Sequence, residues 1–140
     1  TRTTSSAASD VYKRQCKNKI FKYSLIMKVF FNNSCKICRA EINIYKKENI
    51  ENLNWIDITK NKNAELETKK TDKELLRRLH VEQDGKIYVG IDAFLLIWKS
   101  IPKYKFLYKF FKLPVIYQLF YVGYEIVAFF LYLKNKHQLN

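Results

Sequence analysis

The stretch Val29-Phe30-Phe31-Asn32-Asn33-Ser34-Cys35-Lys36-Ile37-Cys38 decides how the rest of the chain is read. Val29 to Phe31 is a β-branched and aromatic run of the kind that makes a short strand. Asn32-Asn33-Ser34 are turn residues, and Asn33 or Ser34 is able to cap a following helix. Two cysteines in C-x-x-C spacing then fall in the first turn of that helix. Unpaired backbone N–H groups and the positive end of the helix dipole favour a negative sulfur at such a place. The thiolate is the form that attacks a disulfide, and the spacing allows one sulfur to close a ring with the other. Cys35 is therefore the candidate nucleophile, exposed at the helix end, and Cys38 the candidate resolving thiol one turn deeper. Lys36 and Arg39 are candidate supports for the thiolate through their charge.

Working outward, Ile37, Ala40, Ile44 and Tyr45 recur at helical spacing between Cys35 and Lys47, while Arg39, Glu41 and Lys46 face elsewhere. Leu53 to Ile58 alternates as a second strand, with Leu53 and Trp55 on one face and Ile56 and Ile58 on the other. That β-α-β unit implies a right-handed crossover and parallel strands. Residues 59–71 are polar, with a weak helical segment near Ala64 to Lys69. Thr71 to Glu74 has capping-box spacing and opens a helix from Asp72 to Leu79. Asp84-Gly85 between His80–Gln83 and Lys86–Val89 signals a β-hairpin. Gly90 ends that strand, and Ile91 to Ile101 returns to helical spacing through Phe94, Leu95 and Trp98 before Pro102. The order is β-α-β-α-β-β-α, an α/β class, followed by two extra C-terminal helices.

The first of these, Lys103 to Leu113, places Lys105, Lys109 and Lys112 on one side and Tyr104, Leu107, Tyr108 and Phe111 on the other. The second runs from Pro114 to about Leu133 and is almost wholly apolar or aromatic. It is just long enough to span a bilayer, but Glu125 near its centre is costly in lipid. Packing against the small sheet is the expected arrangement. Lying on a membrane surface or crossing it are the alternatives.

The chain of 140 residues is long enough for one domain with a real core. Three glycines and two prolines argue against long flexible linkers, and three cysteines are too few for a disulfide-stapled scaffold. Residues 1–26 read as foreign to the domain at 27–140. Thr1 to Gln15 is rich in Ser, Thr and Ala and has no apolar period, so no ordered structure is expected there. The segment is either non-native upstream sequence, with the domain starting at Met27, or a basic targeting segment. Cys16 is excluded from the site with it. Residues 1–26 carry six of the basic residues and one acid, so the formal charge of +13 falls to +8 for the remainder. The abundance of Asn, Ile, Lys and Tyr accounts for that balance as coding bias, without a polyanionic partner.

With motif and element order together, the chain resembles the DCC family of thiol-disulfide oxidoreductases, which are thioredoxin-like proteins. The resemblance covers roughly Lys28 to His137. The family pattern of an aromatic strand, then Asp-Gly-x-Cys-x-x-Cys, reads here Phe31-Asn32-Asn33-Ser34-Cys35-Lys36-Ile37-Cys38. A second block is similar to Leu79-His80-Val81, Asp84-Gly85-Lys86-Ile87-Tyr88 and Gly90-Ile91-Asp92-Ala93-Phe94. Trp98, Pro102, Pro114, Tyr124 and Ala128 continue it. The resemblance implies dithiol exchange with a protein or small-molecule thiol or disulfide, without a cofactor. Two departures stand out: Asn32-Asn33 replaces Asp-Gly, removing a proton acceptor, and Lys36 replaces a common proline. Asn tolerates the left-handed backbone, so the turn is expected to survive. No proline precedes the third strand as in thioredoxin, and His80 takes about that place, as a candidate proton donor or acceptor or as a strand histidine with a backbone partner. Asp92 is either near the site or at the start of its helix. Trp55 and Trp98 are expected to fill core.

Other readings of the residues remain open. A tetrahedral zinc site needs a second Cys/His pair, and only His80 and His137 remain, so no metal is expected. The lysine stripe has no nucleic-acid-binding module beside it. No targeting signal is convincing, which makes a cytoplasmic setting the default expectation. The competing class is a non-enzymatic thioredoxin-like interaction module, associated with a partner or a membrane surface through the aromatic C-terminal helices. Such a module tolerates replacing both Cys35 and Cys38 by Ser.

Overall fold

The computed structural model describes residues 8–17 and 26–139. Residues 8–17 form helix α1, exposed along most of its length, where composition had suggested no ordered structure. The remaining expectations for residues 1–26 lie largely outside the described residues.

The domain begins with β1 (Met27–Phe31), α2 (Lys36–Lys46) and β2 (Leu53–Asp57), followed by α3 (Lys62–Thr68) and α4 (Asp72–Arg77). The hairpin β3 (His80–Gln83) and β4 (Lys86–Val89) comes next, with bounds equal to those the alternation predicts. Its turn holds Asp84 and Gly85 at φ 53° and 74°, the left-handed pair a two-residue hairpin needs. Then follow α5 (Ile91–Ser100), a 3₁₀ turn η1 (Pro102–Tyr104), α6 (Lys105–Phe111), α7 (Pro114–Asn135) and a 3₁₀ turn η2 (Lys136–Leu139). The sheet order is β2-β1-β3-β4; β1 and β2 are parallel, and β3 is antiparallel to β1 and β4.

Period-two alternation divides the core between the two sheet faces. Val29, Phe31, Leu53, Trp55 and Val81 pack with Ile42 and Tyr45 of α2 and with α5. Phe30, Ile56 and Ile58 face Ala64 of α3 and Leu75 of α4. The capping box at Thr71 and Glu74 is present. The segment near Ala64 forms a full short helix, closed by Lys69 at φ 54°. Thr68 Oγ1 donates to the Ala64 carbonyl at 2.6 Å within it.

Three expectations need correction. The inward face of α2 is not Ile37, Ala40 and Ile44, which are exposed, but Cys38, Glu41, Ile42 and Tyr45. Tyr45 decides this rotation, because its ring lies among Trp55, Tyr104 and the core while its hydroxyl meets Trp98 Nε1 at 3.0 Å. The helix cap is neither Asn33 nor Ser34 but Cys35 itself. Finally, α7 is not a core helix. It packs along one side on α4, α5 and α6, and only Ala128 and Asn135 in it are buried.

Candidate active site

The turn before the cysteines sits at the carboxyl ends of the parallel pair β1 and β2. Asn32 and Asn33 do not use the left-handed backbone expected of them, which occurs elsewhere at Asn49, Lys60, Lys69 and Asp84. The turn is held by side chains instead. Asn32 Oδ1 accepts from the Ser34 N–H at 3.0 Å, closing an Asx turn. Asp57, at the end of β2, accepts from the Asn33 N–H at 3.2 Å, the Thr59 N–H at 2.9 Å and the Thr59 hydroxyl at 2.7 Å. Ser34 Oγ bonds Thr59 Oγ1 at 3.1 Å across the two loops. Asp57 was not singled out from sequence, although a polar residue at a strand's carboxyl end beside a motif loop is a signal for it.

Cys35 and Cys38 are free thiols brought together by the first turn of α2. The Cys38 backbone N–H donates to Cys35 Sγ at 3.3 Å, so the sulfur occupies the place that a Ser or Asp oxygen takes in an ordinary N-cap. Exposure runs opposite to expectation. Cys35 is buried, with 2% of its surface accessible, and Cys38 is the partly exposed thiol. Burial, then Cys35, then the charge of Glu41 push the Cys38 thiol far above its ordinary range. Cys38 is thereby held as the protonated thiol.

Glu41 is the residue the sequence reading missed. It lies one turn beyond Cys38 on the same helix face, a spacing that brings side chains together. Burial raises its carboxyl above the ordinary range, and the hydrogen bond that Tyr45 Oη donates to Glu41 Oε1 at 2.9 Å opposes this. Tyr45 Oη in turn accepts from Trp98 Nε1. A polar chain thus runs from Trp98 in the core through Tyr45 to Glu41, beside Cys38. Trp98 fills core as expected and also anchors this chain.

Cys38 and Glu41 line an apolar cavity of about 400 Å³ together with Leu79, Phe94, Tyr124 and Val127.

The other candidate residues lie elsewhere. Lys36 and Arg39 are exposed on the solvent side of α2, and neither side chain makes a hydrogen bond or ion pair among the described residues. His80 pairs with Phe30 across β1 and β3. Directly opposed residues share a sheet face, so His80 joins the Phe30 side, away from the face that α2 covers. It is the strand histidine with a backbone partner: Nδ1 carries the hydrogen and donates to the Arg78 carbonyl at 2.8 Å, while burial lowers its pKa below the ordinary 6.5. Asp92 lies in the first turn of α5 and accepts from Tyr117 Oη at 3.0 Å. Among the described residues no group of three or more His, Cys, Asp or Glu side chains is arranged to hold a metal ion.

A dithiol at a helix N-terminus, on the carboxyl edge of this mixed sheet, is matched by a family model. The DCC1-like thiol-disulfide oxidoreductase model covers residues 29–136. The chain belongs to this family. Its α/β fold, with a four-stranded mixed sheet, is consistent with the thioredoxin-like fold of the DCC1-like family, and membership supports redox thiol–disulfide function with thiol or disulfide partners in general. No curated protein and no solved structure gives a significant match to the chain.

Proposed function

We propose that the protein exchanges disulfides through Cys35 as attacking sulfur and Cys38 as resolving sulfur, with Glu41 as proton acceptor for Cys38. The observation that carries this reading is the 3.3 Å hydrogen bond from the Cys38 N–H to Cys35 Sγ, in a pair whose other thiol is held protonated. Cys35 thiolate attacks one sulfur of a substrate disulfide, forming a mixed disulfide and releasing the first substrate thiolate. Cys38 then loses its proton to the Glu41 carboxylate and attacks Cys35 Sγ. The Cys35–Cys38 disulfide forms, the second substrate thiolate leaves, and two electrons have passed from the protein to the substrate. Running the same steps backwards oxidises a substrate dithiol.

The apolar cavity beside Cys38 suits an apolar group flanking the substrate's reacting sulfur. Because Cys35 is buried, a substrate reaches it only after local movement around the first turn of α2. The test is a titration of the full chain in glutathione buffers, with free thiols trapped and their positions mapped by mass, so that Cys16 is scored separately. Reversible loss of the Cys35 and Cys38 thiols together, at one defined potential, is the expected result. Thiols that stay free, or pair only between chains, would overturn the reading.

A further inference from the structure

Helix α7 has two unlike sides. Its inner side is bound to the domain by directional contacts. Glu125 Oε2 accepts from Arg78 Nη2 at 2.6 Å, Tyr124 Oη accepts from the Leu79 N–H at 3.2 Å, and Phe120 stacks on Trp98 at 5.8 Å. Its outer side presents Val115, Leu119, Val122, Ile126, Phe130 and Leu133, with Val115 and Leu119 exposed by 72% and 71%. Scattered apolar residues on a surface are ordinary, but a continuous helical face of them is not. The helix is long and apolar enough to cross a membrane by length and composition, yet little of it is buried in the domain.

Charge borders this face at both ends. On α6 and the turn after it, Phe106, Phe110 and Leu113 are exposed, and each follows a lysine: Lys105, Lys109 and Lys112. Helical geometry sets that basic stripe along the edge of the apolar one. At the other end of α7 stand Lys134 and Lys136, both exposed. Long lysine side chains in that position can lay their stems on apolar surface and raise the ammonium to a headgroup layer.

We propose that the outer face of α7, with the adjoining face of α6, docks in the plane of an anionic lipid surface. A second copy of the chain fits this face poorly. Both ends are basic, so pairing two helices in either direction sets lysine against lysine. A helix–helix seam is also a narrow stripe with charged flanks, whereas here Val127 and Phe129, exposed on either side of the stripe, widen the apolar face. Crossing the bilayer would tear Glu125 from Arg78 and leave both charges unpaired. A helix kept on the domain and buried on one side in lipid retains every inner contact. This inference is independent of the dithiol chemistry.

The test is flotation of the full chain with vesicles of neutral phosphatidylcholine and with vesicles that also contain phosphatidylglycerol. The protein is expected to rise with the anionic vesicles, to rise much less with neutral ones, and to be released by high salt. Lys105→Gln, Lys109→Gln and Lys112→Gln each lower partition by about fivefold. Leu119→Asp with Ile126→Asp abolishes flotation, while helix content and Cys35–Cys38 pairing stay as in the parent chain. A parent chain that stays at the bottom of both gradients overturns the proposal, including the case where light scattering finds a dimer. Equal flotation of the parent and the Leu119→Asp, Ile126→Asp variant overturns it as well.

Discussion

Arg78 and Glu125, 47 positions apart, meet at 2.6 Å and join the end of α4 to the middle of α7. Arg77 adds a longer contact to the same carboxylate oxygen at 3.7 Å. The pair is partly exposed, at 33% and 24% for the two side chains, so its worth lies between that of a surface bridge and that of a buried one. Glu125→Gln is expected to cost about 1 kcal/mol of stability. It is also expected to speed backbone hydrogen exchange in α7 ahead of the sheet. Urea unfolding followed by exchange mass spectrometry checks both.

The two cysteines have separable roles in the proposed exchange. Cys35→Ser is expected to reduce disulfide exchange to background. Cys38→Ser is expected to retain the first attack and to accumulate a mixed disulfide on Cys35, because nothing resolves it. Mass spectrometry after incubation with a disulfide substrate distinguishes the two. A mixed disulfide on Cys38 in the Cys35→Ser chain, formed as fast, would exchange the roles.

Glu41 gives the resolving step a pH signature. Its carboxyl titrates above the ordinary carboxylate range in the fold. The rate of mixed-disulfide resolution is therefore expected to rise with pH through that elevated value, and Glu41→Gln is expected to remove the inflection. The linked stability has a definite sign. A group whose folded pKa is raised contributes stability below its unfolded value, lost as pH rises through the folded one. Glu41→Gln is thus expected to be the more stable chain at neutral pH, read by thermal unfolding.

Tyr45→Phe removes an acceptor from Trp98 Nε1 and a donor to Glu41 in one step. Leaving the buried indole N–H without a partner is expected to cost about 1–3 kcal/mol. Trp98→Phe in the same background is expected to recover part of that loss, since the orphaned donor goes with it. A double-mutant cycle by urea unfolding measures the coupling.

His80 sets an acid limit on stability. Burial lowers its folded pKa below 6.5, so its contribution is present above 6.5 and is lost as pH falls from there through the folded value. The chain is expected to lose thermal stability across that interval, and His80→Gln is expected to flatten the dependence there.

The hairpin, the capping box and the split of β2 between two core faces were legible because each rests on local chemistry or period two, whereas β1 is too short for its period to show. Asp84-Gly85 needs the left-handed backbone wherever it occurs, and Thr71 with Glu74 caps without outside help. The face of α2 was not legible. Of the expected face Ile37, Ala40, Ile44 and Tyr45, only Tyr45 is buried; its hydrogen bond to Trp98, 53 positions away, turns the helix so that Ile42 goes inward with it. Glu41 was missed for the same reason, since a charged residue on an exposed-looking side gave no hint that the helix would turn it inward. Sequence also placed Cys35 outside and Cys38 deeper, because helix ends are ordinarily open. Here Cys35 is buried, directly after the turn that Asp57 holds. The apolar run of α7 pointed to burial, but composition does not say whether protein or something else lies on each side of a helix.

The inverted exposure of the dithiol has a chemical consequence. A peroxide diffusing up to this protein meets Cys38 first, and a protonated thiol is a slow target. The sulfur assigned to attack, Cys35, lies out of reach at 2% exposure. On the proposed roles, small oxidants find little at this pair to drive toward sulfinic acid, and reaction at Cys35 waits on local movement that uncovers it. Shielding of this kind makes the rate of reaction depend on how often the fold uncovers Cys35, so that a reagent's thiol chemistry alone does not set it.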